Sequence, residues 1–332
     1  MKLLVLGGTR FVGLRLVRYL ISQGHDVTIL NRGRTQAQLP PGVKRLFADR
    51  RDTEAFHKAL AGLAFEAVFD ITGYEVRNLV PPAEVFSGRV AHYVFISTCG
   101  VYQAGDAAPV TEEAPRVNKQ TAGVGAYEIN KAECEDFLLG RSRESGFPVT
   151  ILRCPYIYGP ENWMHDREFS YFVRLAQGRD ILVPGDGGTR LHLVHVDDVA
   201  RAQLAVIGNR EAVGQAFNIA GPETVSFDGY IDAVAGAMGI AARKVHVPLE
   251  AMRRLEKPVF PYPWEQGVGY SIQKAEDVIG FHPVYSIIEG IKQTYLWWKE
   301  NVGLAGTRFE PGKLGYNVDL AYEEKVLLQY RR

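Results

Sequence analysis

Tyr127 and Lys131 stand four apart in the stretch Tyr-Glu-Ile-Asn-Lys-Ala-Glu, whose composition is helical. Residues i and i+4 lie on one helix face, so an ammonium would sit beside a phenol. That charge favours the phenolate and lowers the phenol pKa from its usual value of about 10. A tyrosine tuned in this way is a usable acid or base near neutral pH. Thr98 follows the apolar run Tyr93-Val94-Phe95-Ile96-Ser97, so it reads as the carboxyl end of a strand, where its hydroxyl would meet a substrate oxygen. The Tyr-x-x-x-Lys spacing alone is common by chance. It gains weight from what precedes it.

What precedes it is Gly7-Gly8-Thr9-Arg10-Phe11-Val12-Gly13, set between the apolar run Leu3–Leu6 and the helical spacing of Leu14–Leu20. A strand, a glycine-rich turn and a helix make a phosphate site. Glycine admits the backbone to a pyrophosphate, and the helix start offers free N–H groups and a positive dipole end. The next strand, in Asp26–Arg32, should end at the adenosine ribose. A carboxylate there would bind the ribose 2′-hydroxyl and favour NAD. Instead the positions hold Asn31 and Arg32, with Arg34 close by. Guanidinium groups pair with a 2′-phosphate, and Arg10 could reach the same phosphate. The reading favours NADP, with NAD as the alternative. Arg32 and Arg34 as solvated loop charges would be the plainer account. Asp49 could accept from the adenine amino group or simply form a turn.

The elements that must position these residues follow an α/β rhythm. Strands are expected at Val27–Leu30, Arg45–Phe47, Ala67–Phe69, Tyr93–Ile96 and Val149–Leu152, and helices at Leu14–Ser22, Thr53–Leu63 and Tyr127–Ser145. Such alternation implies a Rossmann-type, doubly wound parallel sheet with its ligand at the strands' carboxyl ends. Later, Leu193–Val196 and Phe217–Ile219 look like strands returning to the sheet. Helical segments follow at Phe227–Met238, Leu249–Leu255 and Ser286–Asn301. The dinucleotide-binding domain is placed at 1–160 plus about 192–221. A smaller carboxyl-terminal substrate lobe takes about 161–191 and 222–332. After the break at Phe309–Gly312, Val318–Tyr330 reads as an amphipathic helix, packed on the surface or lying across a pocket or an oligomer interface.

Composition bounds the rest. The chain has 332 residues, 46% hydrophobic and 23% charged, enough for a sizeable core and against global disorder. Its zero net charge argues against nucleic acid held on a broad basic face. No apolar run approaches the roughly 18 residues that span a bilayer. Three cysteines, Cys99, Cys134 and Cys154, lack metal-ligand spacing, and so sparse and odd a set fits a reducing compartment. The expected address is the cytoplasm, no metal is expected, and the expected partner is a small-molecule substrate.

Together, Gly-Gly-Thr-Arg-Phe-Val-Gly (7–13), Phe-Ile-Ser-Thr-Cys-Gly-Val-Tyr (95–102), Tyr-Glu-Ile-Asn-Lys (127–131), Leu-Arg-Cys-Pro-Tyr-Ile-Tyr-Gly-Pro (152–160) and His-Val-Asp-Asp-Val-Ala (195–200) resemble the extended short-chain dehydrogenase/reductases, the NAD(P)-dependent epimerase/dehydratase family. The resemblance spans about residues 1–300. It implies a catalytic set of Thr98, Tyr127 and Lys131, in which tyrosine exchanges a proton with a substrate hydroxyl while hydride moves to or from the nicotinamide. It also implies cofactor contacts at Gly7, Thr9, Arg10, Phe11 and Val12, at Asn31, Arg32 and Arg34, at Asp49 and Arg50, and at Pro155.

Departures from the family pattern narrow the chemistry. The second turn glycine is Arg10, and the segment between the fourth and fifth strands is short, without the usual long helix and its dimer surface. Both features resemble an atypical branch that includes the chloroplast stem-loop-binding proteins and bacterial reductases. Monomer and homodimer both stay open. Tyr156 stands where sugar-nucleotide members carry Asn. Arg190 is one place before the position of their Arg, and a one-residue shift along a strand turns a side chain to the other face. Cys99-Gly100 replaces the dehydratases' Asp-Glu pair, which excludes dehydration. Cys99 reads as a small buried residue and His195 as structural. Tyr74, Tyr156, Trp163, Met164, His165, Trp264 and Arg190 are candidates around the substrate, with packing as the plainer account of the aromatics. The expected function is an NADP-favouring oxidoreductase or epimerase acting on a sugar-like or cyclic alcohol. The rival is a non-catalytic binding protein that senses redox state or binds RNA.

Overall fold

The computed structural model describes residues 1–103, 105, 109–262, 267–309 and 318–331. In chain order the elements are β1 (Lys2–Leu6), α1 (Phe11–Ser22), β2 (Asp26–Asn31), β3 (Lys44–Phe47), α2 (Thr53–Leu60), β4 (Ala67–Asp70), α3 (Val80–Phe86), β5 (His92–Thr98), α4 (Ala126–Ser145), β6 (Val149–Cys154), β7 (Tyr156–Tyr158), α5 (Glu168–Ala176), β8 (Ile181–Pro184), β9 (Arg190–His195), α6 (Val196–Ala205), β10 (Gln215–Asn218), β11 (Thr224–Ser226), α7 (Phe227–Met238), β12 (Lys244–Val247), α8 (Leu249–Arg253), α9 (Gln273–Ile279), α10 (Ile287–Asn301), α11 (Gly303–Gly306) and α12 (Leu320–Tyr330). They form two compact units. One holds Met1–Ile157, Val196–Ala220 and Tyr270–Pro283; the other holds Tyr158–His195, Gly221–Gly269 and Val284–Arg332.

The first unit is a seven-stranded sheet in the order β10-β6-β5-β4-β1-β2-β3. Every neighbouring pair in it is parallel. It is the doubly wound Rossmann-type α/β sheet that the strand–helix rhythm predicts. Chain order reverses between β1 and β4, where Leu6 pairs with Asp70, so the crevice for a ligand opens beyond these two strand ends. The four residues of β4 and the six of β6 are all buried, as a sheet covered on both faces requires. Val68, Tyr93, Phe95, Val149 and Ile151 pack with Cys134 and Leu138 of α4 in one core cluster.

Local chemistry sets the helix ends. Asp52 caps α2 by accepting from Ala55 N at 3.0 Å. Gly146, at φ 67°, ends α4 in the left-handed conformation. The short segment after β4 is a 3-10 turn, Val76–Asn78, followed by α3. Residues 270–283, placed with the later lobe by the sequence analysis, group with this unit. Two bonds tie α9 there: Lys274 Nζ donates to Ala216 O at 3.1 Å, and Asn209 Nδ2 donates to Val278 O at 2.6 Å.

The second unit is built from short strands and helices. β11 runs antiparallel to β9, and β12 runs parallel to β8. Of the two late strands expected to rejoin the main sheet, β10 does so, beside β6. β9 does not. Leu191 pairs with Val225 instead, because an alternating apolar pattern does not say which sheet a strand joins. Phe172 meets Trp298 with ring centroids 5.3 Å apart, and Tyr171 meets Tyr230 at 5.6 Å. The expected terminal helix is present as α12. It is pinned to α5 by a nearly fully buried pair in which Arg174 Nε donates to Glu323 Oε2 at 2.8 Å.

Candidate active site

The turn from β1 into α1 is shaped by what glycine permits. Gly7 and Gly8 have φ values of +122° and +84°, and Gly7 N donates to Leu30 O at 2.9 Å. A Cβ on Gly8 would lie 2.8 Å from Ile29 Cγ2, and one on Gly13 would lie 2.7 Å from Gly8 N. The loop can therefore lie this close to the helix and to β2 only while it is bare. Arg10, in place of the second turn glycine, is an extended N-cap at φ −146° and ψ 147°, where any residue is tolerated. Its side chain makes no cap bond, and the first turn of α1 carries no acidic residue. Thr9 is half-buried and Phe11 is buried at φ 37°. This end of α1 thus presents backbone N–H groups and a positive dipole end uncompensated by local carboxylates, which fits a pyrophosphate. Val12 lies in the same first turn.

At the end of β2, Asn31 Oδ1 accepts from Gly33 N at 2.8 Å and from Arg45 Nη2 at 3.1 Å. Arg32 and Arg34 are exposed beyond it. Asp49 is gripped by Arg51, with Oδ2 2.8 Å from Nη2. That bond, aided by the charge of Arg32, holds its carboxyl down at about 2. Arg50 points inward. Its Nη1 donates to Asp70 Oδ1 at 2.8 Å and its Nη2 to Asp70 Oδ2 at 2.6 Å. Tyr93 OH donates to the same carboxylate at 2.6 Å. Asp70 is completely buried, and against the cost of that burial the Arg50 charge keeps its pKa low. The Arg50 guanidinium fork thus braces β4 from the loop after β3.

Thr98 ends β5, and its Oγ1 accepts from Gly100 N at 3.1 Å, capping the 3-10 turn Cys99–Val101. Tyr127 is the second residue of α4 and 37% exposed. Lys131, one turn on, is 2% exposed. Its Nζ donates to Gly73 O at 2.8 Å and to Ile96 O at 2.7 Å. The ammonium also lies 4.4 Å from the Phe95 ring centroid and 5.2 Å from that of Tyr74. Burial pulls its pKa down to about 8. Tyr74 and Tyr127 face each other with centroids 6.4 Å apart. Thr98, Tyr127, Lys131 and Tyr74 are thus carried by one unit, around the carboxyl ends of β4 and β5.

Cys99 is buried, with Sγ 3.3 Å from Arg153 O, and burial pushes its thiol pKa far up. It is a packed thiol, not a nucleophile. Pro155 and Tyr156 are half-buried just after β6. Trp163 and Arg190 belong to the second unit, where Trp163 is 38% exposed. Arg190 is tied to the neighbouring strand, Nε donating to Thr224 Oγ1 at 2.7 Å. In that unit His165 Nδ1 accepts from Arg308 N at 3.0 Å, and His195 is buried against Tyr285, centroids 4.0 Å apart. Trp264 and residues 310–312 lie outside the described residues. Among the described residues no cluster of His, Cys, Asp or Glu could hold a metal ion, and no helix is long and apolar enough to cross a membrane.

Sequence reasoning missed two carboxylates on α4. Glu135 lies four residues beyond Lys131 and is fully buried. It accepts from Ser97 Oγ at 2.6 Å, from Arg153 Nη2 at 2.7 Å and from Arg116 Nη1 at 3.0 Å. Glu128 sits beside Tyr127 and leans over Gly100. The i+4 step from Lys131 was the available signal for Glu135. Nothing in the sequence marks Glu128, since its neighbour Gly100 is distant in the chain.

A family model described as NAD dependent epimerase/dehydratase family matches residues 3–220. The chain is 35% identical over 308 residues to the chloroplast stem-loop binding protein of 41 kDa b from Arabidopsis thaliana, covering 89% of this chain and 78% of that one. It is 27% identical over 331 residues to a UDP-N-acetyl-alpha-D-glucosaminuronate decarboxylase from Bacillus cytotoxicus, covering 90% and 98% of the two chains. Among solved structures, a dTDP-glucose 4,6-dehydratase from Bacillus anthracis in complex with NAD has the same fold. Its TM-score is 0.75 at 18% identity, with 91% of this chain and 97% of that one covered. The glycine turn, the parallel sheet reversing at β1 and β4, and these matches agree: the chain belongs to the NAD dependent epimerase/dehydratase family, enzymes of the short-chain dehydrogenase/reductase type.

Proposed function

We propose that this enzyme transfers hydride between a nicotinamide cofactor, NADP in preference to NAD, and a hydroxyl-bearing or carbonyl carbon of a sugar-like or cyclic alcohol, as an oxidoreductase or epimerase. The observation that carries the reading is Lys131: a buried ammonium held by Gly73 O and Ile96 O, one helical turn from a half-exposed tyrosine and beside the strand that ends in Thr98. In this reading Tyr127 takes the hydroxyl proton as the alcohol becomes a ketone, and returns it in the reverse direction. Lys131 favours the phenolate and holds the nicotinamide ribose. Thr98 orients the substrate oxygen. The cofactor, when bound, supplies the hydride acceptor or donor. Gly7, Thr9, Phe11 and Val12 would hold its pyrophosphate, Asn31, Arg32, Arg34 and Arg10 its 2′-phosphate, Asp49 its adenine and Pro155 its nicotinamide end. Tyr74, Tyr156, Trp163 and Arg190 are assigned to the substrate.

The test is Tyr127→Phe. Turnover should vanish while dinucleotide affinity stays within about twofold; unchanged turnover refutes the role. A second reading, a non-catalytic RNA-binding protein, is favoured by the relative whose name is a stem-loop binding protein. A gel-shift titration across salt decides it, since phosphate contacts weaken steeply with ionic strength.

A further inference from the structure

Lys131 is held by two carbonyls of different kinds. Ile96 O belongs to β5, whose place is fixed by its pairing with β6. Gly73 O belongs to the loop after β4, 2.8 Å from the lysine Nζ. A loop carbonyl keeps its direction only if something holds its peptide, and the buried side chain of Asn78 does so. Asn78 Oδ1 accepts from Tyr74 N at 3.2 Å and from Glu75 N at 3.2 Å. The Tyr74 N–H and the Gly73 carbonyl are the two ends of one peptide group. In the ordinary trans form they point opposite ways, so an acceptor behind the N–H aims the carbonyl away from itself, at Lys131. The same bond polarises the peptide and makes its oxygen a better acceptor.

The flanking contacts leave this peptide little other room. Before it, Thr72 N donates to Asp70 Oδ1 at 3.0 Å. After it, Asn78 N donates to Glu75 O at 2.8 Å, and the side chains of Glu75 and Asn78 cap each other's backbone. A Cβ on Gly73 would lie 2.6 Å from Leu79 Cδ2 and 2.8 Å from Phe95 Cε2, so the loop is pressed onto β5. Two carbonyls and two aromatic faces, those of Tyr74 and Phe95, meet the buried ammonium. One carbonyl and one ring of the four are carried by the Gly73–Tyr74 peptide.

We propose that Asn78 is a positioning residue for the reaction: it sets the Gly73–Tyr74 peptide so that the carbonyl and the ring that follows it meet the Lys131 ammonium, one helical turn from Tyr127. The inference rests on the oxidoreductase reading above for what Lys131 does, and adds what holds it there. A side chain that served only to cap the 3-10 turn would leave the ammonium unaffected.

Lysine labelled with 13C at Cε and followed by NMR across pH reads the ammonium directly, with Lys131→Met identifying its signal. In Asn78→Ala the ammonium loses an acceptor while staying buried, so its midpoint should fall from about 8 by about half a unit or more. Asn78→Asp keeps an oxygen acceptor in the same place, and the midpoint should return to the wild-type value or exceed it. Asp70, Arg50, Glu135, Cys134 and the Tyr74 and Tyr127 phenols, the titratable groups around Lys131, are the same in all three proteins. A midpoint unchanged or raised in Asn78→Ala overturns the proposal, as does an equal fall in Asn78→Asp. Should Asn78→Ala not fold, amide exchange in the unaltered protein decides. The Tyr74 and Glu75 N–H groups should exchange about tenfold or more slowly than open loop amides, and exchange at the open rate overturns the proposal. Turnover retained in Tyr127→Phe sinks the oxidoreductase reading and leaves the lysine shift standing; an unmoved lysine sinks this inference alone.

Discussion

Ser97 donates its hydroxyl to Glu135 Oε1 across 2.6 Å, and that bond joins the strand that ends in Thr98 to the helix that carries Tyr127 and Lys131. The same carboxylate takes Arg153 from β6 in a two-pronged contact, Nε at 3.1 Å and Nη2 at 2.7 Å. Three elements are therefore held in register by one fully buried side chain. A buried pair of this kind contributes little net stability when intact, but breaking it leaves an uncompensated charge.

Glu135→Ala should accordingly lower stability by about 3–5 kcal/mol, because Arg153 stays buried without its partner. Denaturant midpoints measure the loss. The double variant Glu135→Ala, Arg153→Met should recover part of it, and equal losses in the single and double variants would refute the pairing as the cause.

Arg32 and Arg50 make a contrast that separates cofactor reading from bracing. Arg32→Ala changes an exposed side chain, so stability should move by less than about 0.5 kcal/mol. NADP affinity should fall about tenfold or more while NAD affinity is unchanged, the size of a charge-assisted hydrogen bond. Arg50→Met should do the reverse: it strands the buried Asp70 carboxylate and costs about 3–5 kcal/mol, with the NADP-to-NAD affinity ratio unchanged. Fluorescence titration of both cofactors, together with unfolding curves, reads both variants.

His92 supplies a pH dependence with a defined sign. Thr150 Oγ1 donates to Ala212 O at 2.7 Å, which commits the hydroxyl hydrogen. The His92 Nε2, 2.7 Å from the same oxygen, must then be the donor, a role the ring fills in either protonation state. Burial pulls its pKa from 6.5 down to about 4. The unfolded chain therefore takes up the proton first, and stability falls as pH drops from 6.5 toward 4 by up to about 1.4 kcal/mol per pH unit. Above 6.5 and below 4 this group contributes no slope. His92→Gln should remove that component from a pH series of unfolding free energies; an unchanged slope would place its source elsewhere.

The parts of this protein legible in its sequence are those governed by local pattern. β1, α1 and the glycine turn follow from apolar runs and from residues that only glycine can replace, and α4 from helical spacing. α3 is not legible from spacing, since Pro81 and Pro82 stand in its first turn. Proline is tolerated in a first helical turn, where its missing N–H has no partner to lose, and both prolines are buried there. The inward turn of Arg50 was equally hidden, since its partner Asp70 lies 20 residues on. Long-range charge pairing is a property of the folded sheet, and spacing along the chain does not encode it.

Gly13 and Arg10 occupy neighbouring places in the glycine turn but face opposite constraints. A Cβ at Gly13 meets backbone, Gly8 N at 2.7 Å and Gly8 Cα at 3.0 Å, so no side-chain movement relieves the clash. Gly13→Ala must push the loop off the helix, and the pyrophosphate cradle opens with it. Affinity for NAD and NADP should fall together, by about a hundredfold or more, as expected when several backbone donors are displaced at once. Arg10 has an extended backbone that makes no demand for glycine. If Arg10 reads the 2′-phosphate as proposed, Arg10→Gly should keep NAD binding and weaken NADP alone. Titration of both cofactors against both variants checks this. Retained affinity in Gly13→Ala would mean that the turn does not receive the dinucleotide.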